Sequence, residues 1–149
     1  MIILQPHHPI QAYSKQQVHP DECSYFINGD GQILINVDSL KIAPAICYKS
    51  LLPVHSDNAC ELGAEIYLAI VAKTQNGIDK GMIHYPLVAK KHAIPVLMVN
   101  CLGICDNSLC VGNSSVWSKS GDLICQLDNE REGLILFNTE TEQVSEHYL

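Results

Sequence analysis

The chain alternates short, strongly apolar segments with more polar ones, and this alternation predicts both strands and helices. Residues 33–37 and 41–47 are predicted to be consecutive strands joined by a tight turn at residues 38–39. Residues 64–72 form a nearly continuous apolar run, which is typical of a central strand covered on both faces. Another apolar strand is predicted for residues 95–100.

Two helices are predicted between these strands. The first lies in the segment SDNACELG, with Ser56 or Asp57 as its N-cap and Gly63 just past its end. The second is predicted to begin near Tyr85, because Pro86 is tolerated in the first turn of a helix but not in its interior. It is expected to end before the next predicted strand.

Three further strands are predicted near the C-terminus, in the segments VGNSSVW, DLICQL and GLILFN. The acidic residues 139–149 are interpreted as a loose polar tail that follows a single domain at residues 1–138. The order of elements, β-β-α-β-α-β and then strands, predicts an α/β layered fold with helices on one face of a sheet. The opposite face of that sheet is expected to be apolar too, and to need a cover.

Charge and hydropathy exclude several classes of partner. The formal net charge is −7, and no long basic run is present, so we expect neither nucleic-acid nor anionic-membrane binding. The longest apolar runs, residues 66–72 and 93–99, are much shorter than the roughly 18 residues of a membrane-spanning helix. The N-terminus lacks the apolar core of a signal peptide, so a cytoplasmic location is expected.

Seven cysteines are present, an unusually large number, at positions 23, 47, 60, 101, 105, 110 and 125. Their odd number and the lack of a secretion signal argue against a disulfide framework. The segment CLGICDNSLC has the spacing C-x3-C-x4-C, but it lacks the second pair of ligands typical of structural zinc sites. We therefore predict no metal site and no cofactor, and interpret most of these thiols as small core residues.

Cys47 differs from the other cysteines because it ends a predicted strand. In α/β folds, catalytic groups gather at the carboxyl ends of strands, where loops project from a rigid sheet. A core thiol and a nucleophile both remain compatible with this position.

The residues around Cys47 resemble the nucleophile element of the nitrilase, or carbon–nitrogen hydrolase, superfamily, G-x-x-I-C-Y-[DE]-x-x-F-P-E. Upstream, YSKQQVHPDECSYFINGDG resembles the family's lysine motif, Y-x-K-x-x-L-x-P-x-x-E. Downstream, NGIDKGMIHYPLVAKKHA resembles its G-x-x-H-W-x-x-L-x-R-A-R-A helix, and VNCLG and VGNSSVWSKSGDLI resemble its glycine-containing strands. The four motifs occur in the family's order and extend from about residue 10 to residue 138.

This resemblance implies an αββα sandwich that hydrolyses the non-peptide C–N bond of a small amide or nitrile through a Glu-Lys-Cys triad. It implies that Cys47 is the nucleophile, that Lys15 stabilises charge on the tetrahedral intermediate, and that Glu22 is the auxiliary glutamate. The chemistry requires such groups, since a thiol needs a base and the developing anion needs a cation or donors. No cofactor is implied.

The sequence also departs from the family's pattern. The family's general-base glutamate lies before the lysine motif, where this sequence begins, so we expect an N-terminally truncated domain. Lys49 and Val54 occupy positions where the family has acids. Glu22, His55 and His84 are the candidate replacement bases, and loss of a general base typically costs about 10²–10⁴ in rate.

Three interpretations remain from the sequence. The first is a hydrolase with full or reduced activity, and the second is an inactive nitrilase-like binding or assembly module. The third is a thiol-rich redox or metal protein. A shortened sandwich would expose a large apolar face, so we expect a homodimer or a larger homo-oligomer.

Overall fold

The computed structural model of the chain describes residues 1–18 and 20–149. Its strands are β1 Ile2–Ile3, β2 Gln11–Ala12, β3 Ile35–Val37, β4 Leu40–Ile46, β5 Ile66–Val71, β6 Val96–Asn100, β7 Leu102–Cys105, β8 Ser108–Val111, β9 Ser115–Trp117, β10 Leu123–Gln126, β11 Gly133–Phe137 and β12 Val144–Tyr148. Its helices are α1 Pro53–Glu61 and α2 Gln75–His92, with short 3-10 helices at Pro20–Glu22 and Cys47–Leu51.

A mixed six-stranded sheet, in the order β10-β9-β6-β5-β4-β3, forms the centre of the molecule. The strands β4, β5 and β6 run parallel, whereas β3, β9 and β10 are antiparallel to their neighbours. Parallel neighbours require crossover connections, which α1 and α2 provide here. The carboxyl ends of β4, β5 and β6 therefore lie along one edge of the sheet.

The main core lies between the sheet and the two helices. Alternate side chains of the parallel strands point toward the helices, and the alanines among them allow close approach. The largest fully buried side chains of this core are Trp117, Tyr67, Tyr85 and Met98. The rings of Tyr85 in α2 and Trp117 in β9 pack with their centroids 5.3 Å apart.

The opposite face of the sheet is apolar, as predicted, but less well covered. Ile42, Leu68, Ile70 and Leu97 are only partly buried, and Val99 is 52% exposed. A cavity of about 220 Å³ separates part of this face from β11. The hairpin of β11 and β12 therefore covers one portion of the face incompletely.

The second helix is longer than predicted. It begins at Gln75 rather than near Tyr85, so Pro86 lies inside it. Pro86 lacks the N–H group that would donate to the carbonyl of Met82, but the continuous buried face of α2 offsets that loss. Tertiary packing thus decides the helix start against the local preference of proline.

Within the described residues, no helix is both long and apolar enough to cross a membrane.

The first helix also begins earlier than predicted. Its N-cap is Leu52, with Pro53 in the first turn, so neither Ser56 nor Asp57 is the cap. The Asp57 carboxylate instead forms hydrogen bonds with Lys91 and His92 at the end of α2. The predicted end is confirmed, because Gly63 follows the C-cap with φ +90° and donates its N–H to the Cys60 carbonyl at 2.9 Å.

The acidic tail is not a loose arm. Residues Val144–Tyr148 form β12, which pairs antiparallel with β11 over five residue pairs. Arg131 stacks its guanidinium 3.8 Å from the centroid of the Tyr148 ring, which helps to hold the end of this hairpin. The segment VGNSSVW, which was predicted to be one strand, contains the last residue of β8 and the whole of β9.

Candidate active site

Cys47 lies directly after β4, at the carboxyl edge of the parallel strands. Its φ angle is +48°, in the left-handed region that non-glycine residues rarely adopt, and it begins the 3-10 helix Cys47–Leu51. Such a conformation costs about 1–3 kcal/mol and persists only where the surrounding structure imposes it. The residue itself is partly buried.

A buried hydrogen-bond network imposes this turn. The Ser50 hydroxyl donates to the carbonyl oxygen of Cys47 at 2.6 Å and lies 2.7 Å from the hydroxyl of Tyr85. Because Ser50 has a single hydroxyl hydrogen, Tyr85 is the donor in the second bond. The Tyr67 hydroxyl donates to the Ser50 carbonyl at 3.3 Å and lies 2.8 Å from His55 Nδ1. Residues from α1, β5 and α2 thus converge on the turn.

His55 belongs to this network. It is completely buried, and burial, followed by the positive charge of Lys49, lowers its pKa to about 4. A neutral imidazole with Nδ1 engaged by Tyr67 braces the turn but is a weak proton acceptor near neutral pH. Lys49 occupies a position where the nitrilase superfamily has an acid, and its positive charge helps to lower the pKa of His55.

His84 is the second histidine that the sequence suggests as a replacement for the general base. Burial lowers its pKa, a hydrogen bond to the Ser50 backbone acts in the opposite direction, and the charge of Lys73 lowers it further. Its Nε2 atom is buried, with no hydrogen-bond partner among the described residues. His84 thus approaches the Cys47 turn from α2 as a neutral ring.

Lys73 is a charged group at this edge that the sequence reasoning missed. It follows the end of β5, next to β4, and is only 8% exposed. Its backbone N–H donates to Asn100 Oδ1 at 2.7 Å, and Asn100 Nδ2 donates back to its carbonyl at 3.1 Å. Burial lowers the pKa of Lys73, while its interaction with Cys47 works in the opposite direction. The sequence feature that could have identified Lys73 is its position directly after an apolar run.

Lys15 and Glu22, which the lysine motif singled out, are joined by an ion pair between Nζ and Oε2. The pair is partly buried, with side-chain exposures of 20% and 36%. Both residues line a cleft of about 430 Å³ that also includes Tyr13 and Ile46, the residue before Cys47. Burial raises the pKa of Tyr13 to about 12, so its hydroxyl stays protonated.

The structure thus divides the predicted site into two parts. One is the cleft with the Lys15–Glu22 pair, and the other is the turn that carries Cys47, with Lys73 nearby. Among the contacts of the described residues, none joins the side chain of Lys15 directly to that of Cys47. The sequence neighbours Ile46 and Cys47 connect the two parts.

Solved structures similar to this chain include amidases. One is a cysteine mutant of an amidase of the nitrilase superfamily from Nesterenkonia AN1, with a TM-score of 0.76 at 21% identity over 87% of this chain and 50% of that chain. Another is a CN-hydrolase superfamily protein from Xanthomonas campestris, with a TM-score of 0.75 at 18% identity over 99% of this chain and 55% of that chain. The chain thus spans about half the length of these structures.

These likenesses confirm the predicted α/β fold of the nitrilase superfamily. None of the curated proteins compared with the chain matches it. A sequence model of the family described as carbon-nitrogen hydrolase, however, matches residues 2–146, which is nearly the whole chain and includes all four motifs. The chain therefore belongs to the carbon-nitrogen hydrolase family.

Proposed function

We propose that this protein hydrolyses the C–N bond of a small amide or nitrile, with Cys47 as the nucleophile. The observation that carries the proposal is the left-handed backbone of Cys47 at the end of β4. Strained residues held rigidly at strand ends are a recurring way to present a nucleophile. In a Glu-to-Gln mutant of the amidase from Nesterenkonia sp. AN1, the acetamide moiety of fluoroacetamide is added covalently at the active-site cysteine. That precedent supports the same chemistry at Cys47.

Lys73 is the proposed proton acceptor. Its lowered pKa makes the neutral amine more accessible, and its charge interacts with that of Cys47. Proton transfer from the thiol to this amine produces a thiolate beside an ammonium group. With an amide substrate, the thiolate then attacks the carbonyl carbon and forms a tetrahedral intermediate. The ammonium group donates its proton to the nitrogen of this intermediate as the C–N bond breaks, so that ammonia departs and a thioester remains. Water hydrolyses the resulting thioester and releases the carboxylic acid.

Lys15 is proposed to stabilise the anionic oxygen of the tetrahedral intermediate. Its ion pair with Glu22 orients the ammonium group and lowers the cost of keeping it partly buried. This assigns Glu22 a positioning role, since its carboxylate is engaged with Lys15. The adjoining cleft of about 430 Å³ lies within the range of small-molecule sites.

The test is ammonia release from a panel of short-chain amides and nitriles, including butyramide. We expect turnover by the full chain, loss of turnover in Cys47→Ala, and retention in Cys125→Ala, a matched cysteine of β10. Alkylation of Cys47 by iodoacetamide is measured in parallel. Failure of turnover over the whole panel, with Cys47 still alkylated, contradicts the hydrolase and favours the inactive binding or assembly module.

A further inference from the structure

Three cysteines that are separate in the sequence lie together on the hairpin of β7 and β8. The Sγ atoms of Cys101, Cys105 and Cys110 all lie within 4.8 Å of one another. None of the three takes part in the chemistry proposed for Cys47. Within the described residues, no other group of three or more His, Cys, Asp or Glu side chains is arranged to hold a metal ion.

The strand register explains how the three thiols meet. Gly103 in β7 pairs with Cys110 in β8, so Cys110 lies across from the position between Cys101 and Cys105. Side chains alternate between the faces of a strand, which places the cysteines at positions i and i+4 on the same face. The Gly112 N–H donates to the Cys101 carbonyl at 3.0 Å and continues the pairing to that residue.

A two-residue turn specifies this register. Asp106 and Asn107 connect the strands, and their φ angles are +47° and +59°. Two consecutive residues in the left-handed region form a type I′ turn, for which Asp and Asn are favoured. The segment between Cys105 and Ser108 therefore encodes the pairing that brings Cys110 to the other two thiols.

Gly103 leaves open space in the middle of the group. A Cβ atom at this position would meet no atom within 4 Å, and the φ angle of +93° favours glycine. Cys110 is almost completely buried, whereas Cys105 is exposed. The group thus has a buried floor and an opening toward solvent.

We propose that Cys101, Cys105 and Cys110 form a three-thiolate site for a thiophilic divalent ion, Zn²⁺, with a fourth position open to water. Tetrahedral zinc with Zn–S bonds of about 2.3 Å holds its sulfur atoms roughly 3.8 Å apart. Small side-chain rotations bring the thiols from their present spacing to that geometry. Binding would also restrain the start of β7, next to Asn100, which holds the backbone of Lys73.

The site is tested with Cd²⁺ as a spectroscopic substitute for Zn²⁺, on the reduced full chain carrying Cys47→Ala. We expect thiolate-to-metal charge-transfer absorption that saturates at one ion per chain. Zn²⁺ should compete for the same site and protect three of the six remaining thiols from Ellman's reagent. The Cys47→Ala background keeps this result independent of the proposed hydrolase activity.

Three variants make the test specific. Cys105→Ser, at an exposed position that tolerates substitution, should weaken binding by roughly 10-fold to 100-fold or more, since loss of an outer-shell partner alone costs that much. Cys105→His replaces one zinc ligand by another and should largely restore binding, whereas the control Cys125→Ser should leave it unchanged. The proposal is overturned if no charge-transfer band appears, if Cys105→Ser binds as tightly as its parent, or if two of these three thiols stay joined by a disulfide under reducing conditions.

Discussion

The hydroxyl of Ser50 donates a 2.6 Å hydrogen bond to the carbonyl oxygen of Cys47, three residues before it. This bond closes the turn that holds Cys47 in its left-handed conformation. Tyr85 supports it from α2 by donating to the same serine oxygen at 2.7 Å. The orientation of the proposed nucleophile thus depends on a side chain that does not itself contact substrate.

Replacement of this serine should affect both stability and reactivity. We expect Ser50→Ala to lower the free energy of unfolding by about 1–3 kcal/mol, since it leaves buried groups unpaired. It should also slow alkylation of Cys47 by iodoacetamide. Ser56→Ala is the matched control, because Ser56 is a buried serine of α1 that donates to the Pro53 carbonyl at 2.9 Å. Equal alkylation rates in the two variants would refute a positioning role for Ser50.

Lys73 should matter for reactivity as well as for structure. If it accepts the thiol proton, Lys73→Met should reduce kcat/KM for the best amide by roughly 10²–10⁴. The exposed Lys119 provides the control Lys119→Met, which should be unchanged. Removal of a buried amine is expected to preserve the fold, and circular dichroism checks this. Undiminished alkylation of Cys47 near pH 7 in Lys73→Met would contradict its role as base.

His55 should make the stability depend on pH. Its pKa is about 4 in the folded protein and about 6.5 in the unfolded chain. The unfolded state therefore binds more protons between these values, so the free energy of unfolding should fall as the pH decreases from about 6.5 to about 4. The difference amounts to about 3 kcal/mol.

Urea unfolding at several pH values measures this dependence. His55→Gln should flatten the curve in that interval, whereas His147→Gln, at an exposed position of β12, should leave its slope unchanged. The same slope in His55→Gln and the parent chain would show that other groups govern acid sensitivity.

Gly121 couples the turn after β9 to α2. A Cβ atom at this position would lie 2.7 Å from the Pro86 carbonyl oxygen, and the φ angle is +88°. Gly121→Ala should therefore destabilise the protein by about 1–3 kcal/mol. Gly31→Ala is the matched control, because a Cβ atom there would have nothing within 4 Å and no positive φ is involved. Similar midpoints of thermal unfolding for the two variants would contradict this coupling.

Self-association is expected from the partly covered apolar face. Val99 is 52% exposed in the middle of the sheet, and Leu134 and Leu136 of the neighbouring hairpin are 54% and 58% exposed. We expect light scattering to detect a dimer or a larger homo-oligomer, and Val99→Lys to dissociate it. A monodisperse monomer at micromolar concentration would refute this expectation.

Several features of the protein follow from local sequence alone. The apolar run at residues 64–72 contains a central strand, whose side chains are buried on the helix face of the sheet and buried or partly buried on the opposite face. Gly63 ends α1 because the following turn requires a positive φ. The position of Cys47 after a strand was likewise evident, and the lysine motif identified Lys15 and Glu22, which form an ion pair.

Other features depend on contacts between distant residues, which local patterns do not encode. Pro86 predicted a later start of α2, but the packing of Tyr85 and its neighbours against the sheet keeps the helix continuous. The acidic composition of the tail concealed β12, which is stabilised by pairing with β11. The charges of Lys73 and Cys47 interact only because β4 and β5 end at the same edge of the sheet. The sequence by itself determined the family, the central strands and the candidate nucleophile, whereas strand register and helix packing decided which polar groups surround it and which thiols meet.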